Sequence, residues 1–181
     1  MIGYIFLAII LLLVVFSIGI YNNLVALRNR IDNAWHQIDV QLKRRTDLIP
    51  NLVETVKGYA AHERETLDRV TEARSRLMRG GSVETQAQAQ NELNGALKSL
   101  FAVAESYPEL KANQNFLMLQ EELAGTENKI GYARQFYNDS VMSYNQAIQQ
   151  FPGNLFAGFG FPPREYFEIE PADRDLPKVR F

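Results

Sequence analysis

Nineteen consecutive positions, Ile2 to Ile20 (IGYIFLAIILLLVVFSIGI), carry no charged side chain. At 1.5 Å per residue they make roughly 28 Å of helix, close to the hydrocarbon thickness of a bilayer. Such a start has three outcomes: a membrane span, a cleaved secretory signal or a buried core helix. Ser17 and Gly19 do form a small-x-small cleavage pattern. Against cleavage, no Lys or Arg precedes the run, and the run is long for the apolar part of a signal. Against a core helix, the later helical patterns all have polar faces and need no all-round apolar partner. Residues 1–20 are therefore expected to be a retained transmembrane helix, spanning through Ile2, Ile5, Leu7, Ile9, Leu12, Val15, Ile18 and Ile20. Only the amino terminus precedes the span, whereas Arg28 and Arg30, then Lys43, Arg44 and Arg45, follow it. The positive-inside tendency puts the N-terminus outside and the bulk of the chain in the cytoplasm.

Beyond the span the apolar residues recur at spacings of three and four: Leu24, Leu27, Ile31, Trp35, Ile38 and Leu42. This heptad-like, coiled-coil-type seam predicts one helix that leaves the bilayer without a hinge and continues to about Asp47. Pro50 is expected to break or kink it, and Asn51 with Glu54 has the form of an N-cap pair, favouring a restart. A second helix follows to Gly80-Gly81-Ser82, where glycine stops it and Ser82 can cap the next. The third carries Ala87, Gln90, Leu93, Leu97, Leu100 and Ala104 up to Ser106-Tyr107-Pro108. The fourth keeps helical spacing from Phe116 through Leu123, Ile130, Tyr137, Tyr144 and Ile148 to Phe151. Short connections between amphipathic helices predict an all-α, antiparallel up-and-down four-helix bundle over residues 21–151.

The character changes at FPGNLFAGFGFPP, with three prolines, three glycines and no charge. Residues 152–181 are read as an aromatic, Pro/Gly-rich segment followed by a polar tail, poorly ordered from Glu170. Phe156, Phe159, Phe161, Tyr166 and Phe167 form a candidate interface. An up-and-down bundle returns its fourth helix to the bilayer side, so these rings would emerge near the headgroups or a neighbouring copy. The alternative is that they fold back as a cap on their own bundle.

Little reactive chemistry is visible. Lys and Arg total 19 against 21 for Asp and Glu, far from the basic footprint of a nucleic-acid binder. From Arg28 to Arg79 there are 11 basic and 8 acidic residues, a net of +3. From Gly80 onward there are 8 basic and 13 acidic, a net of −5. Without cysteine there is no disulfide, thiolate metal site or cysteine nucleophile. Neither His36 nor His62 stands three residues after a glutamate, so the Glu-x-x-His pairs of a di-iron bundle are absent. His62-Glu63 resembles the start of H-E-x-x-H, but Thr66 occupies the place of the second histidine. Glu121, Glu122 and Glu127 read as a solvated helix face, and Lys43-Arg44-Arg45 as a solvated helix end. Asn138 and Asn145 lie one heptad apart, each after a seam tyrosine; they either fix register or are simply exposed. No cofactor and no catalysis are expected.

The stretches LRNRIDNAWHQIDVQLKRRTDLIPNLVETVKGYAAHE (27–63) and FYNDSVMSYNQAIQQFPGNL (136–155), with the FGF and YFE elements at 159–161 and 166–168, resemble the LemA family. The resemblance runs through nearly the whole chain. It implies a single-pass protein of the bacterial cytoplasmic (inner) membrane, with a small outside N-terminus and a cytoplasmic helical bundle. It supplies no catalytic residues. A magnetosome-associated branch implies a membrane-organising role, and neighbouring membrane proteases in some genomes imply an adaptor role. The expected protein is thus a membrane-anchored scaffold acting by contact. Its expected partners are the lipid bilayer, further copies of itself held by apolar contacts, and an unidentified membrane or cytoplasmic protein, with no nucleic acid. The alternatives are an adaptor for a membrane enzyme, or a ligand-binding protein or hydrolase with an unrecognised site.

Overall fold

The computed structural model describes residues 1–168; the tail expected to be poorly ordered from Glu170 lies outside them. The described chain is helical, with no strand among its described residues. Helix α1 runs from Ile2 to Lys57, α2 from Arg64 to Met78, α3 from Val83 to Ala104, and the one-turn α4 from Pro108 to Lys111. Helix α5 runs from Gln114 to Gln149, and a 3₁₀ turn follows at Gly153–Leu155. The chain forms two compact units: Met1–Ile38 with Ala133–Tyr166, and Asp39–Tyr132 with Phe167 and Glu168.

In the first unit the leading part of α1 is bare. Every residue of the apolar run is exposed except Ile20, which is partly covered. The helix is long and apolar enough to cross a membrane. Leu24, Ile31, Ala34 and Ile38 of its seam are buried, with Leu27 half-buried. Trp35, a seam position by its spacing, lies half-buried at the edge of this stripe. Ala34 takes the core position because three- and four-residue steps link it to Ile31 and Ile38. The Trp35 ring flanks Tyr137 of α5 at 5.5 Å between centroids. Tyr137, Val141, Tyr144 and Ile148 supply the buried face of α5 in this unit.

The second unit corrects the expected break at Pro50. Helix α1 continues through it to Lys57, so Asn51 is helical and its carbonyl accepts the Thr55 hydroxyl at 2.8 Å. A proline cannot bond the carbonyl four residues back, here that of Thr46. The Arg74 Nε of α2 donates to that carbonyl instead, at 2.8 Å. Pro50 itself is exposed, so its ring meets solvent, not the core. The actual break comes at residues 58–63, which are tied down by side chains. The Tyr107 hydroxyl donates to Glu63 at 3.0 Å, and Asn113 Nδ2 donates to the Tyr59 hydroxyl at 2.9 Å.

Helices α2 and α3 pack together across the Gly80-Gly81 turn, where Gly80 takes the left-handed φ of 68° that favours glycine. Ser82 caps α3 as its position predicts, its Oγ accepting from the Thr85 amide at 3.2 Å. Asn113 does the same for α5, accepting from the Phe116 amide at 3.0 Å. Leu93, Leu97, Leu100, Leu110, Phe116 and Leu123 are among the buried residues of this core.

Candidate interface and polar groove

The chain after α5 contains an extended strap over residues 161–165. Pro162 and Pro163 have no N–H, so the hydrogen-bonding needs of this stretch are chiefly carbonyls and the Arg164 amide. Three side chains of α5 meet four of these groups. The Tyr144 hydroxyl donates to the Pro162 carbonyl and the Tyr137 hydroxyl to the Glu165 carbonyl, both at 3.0 Å. Asn145 takes Arg164 from both sides. Its Nδ2 donates to the Arg164 carbonyl and its Oδ1 accepts from the Arg164 amide, each at 2.9 Å. Positions 137, 144 and 145 share one face of a helix, being seven and eight residues apart. Burial pushes the Tyr137 and Tyr144 hydroxyls above the ordinary tyrosine range, with the Arg164 charge opposing.

The strap also reaches α1. The Arg164 guanidinium meets Asp32 at 3.3 Å. Phe161 stands edge-on to Tyr21, with ring centroids 5.4 Å apart, and the Arg28 guanidinium lies 5.6 Å from the same ring. Before the strap, Gly153 abuts the end of α5 so closely that a Cβ there would clash with the Ala147 carbonyl oxygen.

The candidate interface residues therefore divide. Phe161 and Phe167 are buried, Phe156 is half-buried, and Phe159 and Tyr166 are exposed. Phe151 and Leu155, which the sequence reading did not single out as interface, are also exposed. The seam residues Leu24, Ile31, Ile38, Leu42, Tyr137, Tyr144 and Ile148 are all buried. Both histidines are on the surface or near it, His36 and His62 alike being exposed. Asn145 is a clamp for the strap, a role that heptad spacing alone did not specify.

A second constellation escaped the sequence reading. Arg45 is buried, not part of a solvated helix end, and Glu127 is no free surface carboxylate. The Arg45 Nη1 donates to Glu127 Oε2. Gln90 Nε2 and Asn94 Nδ2, one turn apart on α3, donate to the two Glu127 oxygens at 3.2 and 3.3 Å. Burial lowers the Arg45 pKa, and the Glu127 charge and hydrogen bond oppose that shift. Arg44 and Lys43 stay outside, beside Glu122 at 3.6 Å and Asp47 at 2.5 Å. The signal for this cluster was Arg45 lying three residues after seam Leu42, together with Gln90 inside the α3 seam. Polar groups on buried stripes demand partners. Arg45, Asn94 and Glu127 of this cluster line an open groove of about 560 Å³, together with Leu97, Lys98, Phe101 and Leu123.

Comparison with known proteins gives a match to the LemA family model over residues 34–181. The chain belongs to the LemA family. Protein LemA of Metamycoplasma hominis is 30% identical over 172 residues, covering 90% of this chain and 77% of the relative. Magnetosome protein MamQ 2 of Paramagnetospirillum magneticum is 27% identical over 179 residues, covering 84% of this chain and 66% of the relative. Magnetosome protein MamQ of Magnetospirillum gryphiswaldense is 26% identical over the same length and coverage. The match to the LemA model covers both the strap and the Arg45–Glu127 cluster. The bare apolar helix ahead of residue 34 is what membrane anchoring of this LemA-family chain rests on.

Proposed function

We propose that this LemA-family protein is a single-pass, membrane-anchored helical scaffold that works by contact, without catalysis. The observation that carries the reading is the bare run Ile2–Ile20, which passes without interruption into a helix whose next turns are packed. An exposed apolar surface of that extent needs a nonaqueous environment, and a bilayer supplies one. In this reading the N-terminus is outside and the helical part, an antiparallel bundle, faces the cytoplasm of a bacterial inner membrane. The protein associates with further copies of itself and with another membrane or cytoplasmic protein. The magnetosome naming of two relatives supports a role in membrane organisation.

The chain has no native cysteine, so single cysteines report topology cleanly. A cysteine at exposed Asp139 should react with a membrane-impermeant maleimide only after the inner membrane is opened, in a chain that stays with membranes through carbonate washing. Labelling in cells with only the outer membrane permeabilised would overturn the orientation. Recovery in the soluble fraction would overturn the anchor.

A second reading, ligand binding, is supported by the open groove beside Arg45 and Glu127. It predicts that small-molecule screening by thermal shift yields hits that Glu127→Gln abolishes. The scaffold reading predicts none.

A further inference from the structure

The uncharged turn that precedes the strap leaves three large apolar side chains uncovered. Phe151, Leu155 and Phe159 are 78%, 61% and 77% exposed. No charged side chain lies between Gln150 and Arg164. Large exposed apolar side chains clustered within nine residues are a poor surface for water, and good solubility would favour polar residues at these tips.

The position of this turn bears on what covers it. Contacts between the returning chain and α1 step toward the span as the strap is followed backward. Arg164 meets Asp32, then Phe161 meets Arg28 and finally Tyr21. Tyr21 is the residue directly after the apolar run. The turn bearing Phe151, Leu155 and Phe159 thus departs from an anchor point at the exit of the span. Its fold is fixed there by Gly153 against Ala147 and by the positive φ of 89° at Gly160. Aromatic rings are favoured at the headgroup level of a bilayer, where a flat apolar body meets a polar boundary.

We propose that Phe151, Leu155 and Phe159 form an interfacial wedge that inserts into the same bilayer leaflet from which α1 emerges. The wedge gives the protein a second membrane contact beside its span. It holds the strap end of the first unit against the lipid surface and restricts tilting of α1. The inference rests on the anchoring reading above, and its test separates the two.

The chain has one tryptophan. With Trp35→Phe as background, Phe159→Trp and Leu155→Trp each place a single reporter at an exposed position that makes no core contact. Phe16→Trp reports the span, and Tyr132→Trp, at a residue 76% exposed, reports water. The full chain is reconstituted in phosphatidylethanolamine–phosphatidylglycerol vesicles whose lipids are brominated either shallow or deep in the acyl chains. The wedge predicts at least twofold quenching at 155 and 159 by shallow bromines, with less by deep ones and none at 132. Equal brightness at 155 and 159 with and without bromine, while 16 is quenched, would overturn the wedge and leave the anchor standing. Blue-shifted but unquenched emission at those sites means that a second copy covers them, which also overturns it. A span reporter that escapes quenching would overturn the anchor itself, and the wedge with it.

Discussion

The Nε of Arg74 donates to the Thr46 carbonyl, the one main-chain acceptor that Pro50 leaves without its helical donor. A side chain 28 positions along the chain thus completes a hydrogen bond that the local sequence cannot make. Helix α1 passes through a residue that ordinarily costs about 3 kcal/mol in a helix interior.

Arg74→Met keeps the aliphatic stem but leaves that part-buried carbonyl without its donor. The expected loss is about 1–3 kcal/mol, read from the urea midpoint. The decisive comparison is with a Pro50→Ala background, where residue 50 regains its N–H. There the same substitution should cost less than half as much. Equal costs in both backgrounds would mean that the two residues are energetically independent.

Glu127→Ala strips the counter-charge from Arg45, whose side chain is only 5% exposed. Because Glu127 itself is partly open to solvent, water can reach the vacated side, and the expected loss is about 2–4 kcal/mol. Arg45→Met combined with Glu127→Leu should recover part of it, since the unpaired charge is gone while Gln90 and Asn94 still lack their acceptor. A double variant no better than Glu127→Ala would assign the cost to packing and to the lost Gln90 and Asn94 hydrogen bonds, not to the Arg45 charge.

Strap attachment is open to a subtler substitution. Asn145→Asp keeps an acceptor for the Arg164 amide but removes the donor to its carbonyl. Hydrogen exchange at the Arg164 amide should quicken by at least tenfold, and trypsin should cut after Arg164 sooner than in the wild type. Unchanged protection would show that the strap's other contacts, among them those of Tyr137, Tyr144 and Phe161, hold it without the Asn145 donor.

The two strap tyrosines also predict an alkaline limit. Burial favours their neutral forms, so their folded pKa values lie above the unfolded value of about 10. That contribution to stability is fully present below the unfolded value and is lost as pH rises through the folded ones. The urea midpoint should therefore drop across this range, in step with phenolate absorbance at 295 nm. Tyr144→Phe should flatten part of the drop.

The helical seams were legible because they are local: a three- and four-residue rhythm marks Leu24, Ile31, Ile38 and Leu42 whatever surrounds them. Ser82 was legible for the same reason, since a cap needs only its own next turn. Pro50 was misjudged because Arg74, its remedy, comes from another helix. Glu127 was misjudged because its three partners lie on α1 and α3, and from α5 alone it reads as one more surface carboxylate. The aromatic segment was recognised as unusual. Composition could not divide buried Phe161 from exposed Phe159, two residues apart, because that division depends on where Tyr21 stands.

Between Gly19 and Pro50, helix α1 contains neither glycine nor proline, and nothing softens it between the span and Asp32. A rod of that kind transmits torque. Turning the span about its long axis by the angle of one residue, about 100°, turns Tyr21, Arg28 and Asp32 through the same angle. In a chain anchored as proposed, the compass bearing of the strap about the membrane normal is therefore set by how the Ile2–Ile20 helix is turned.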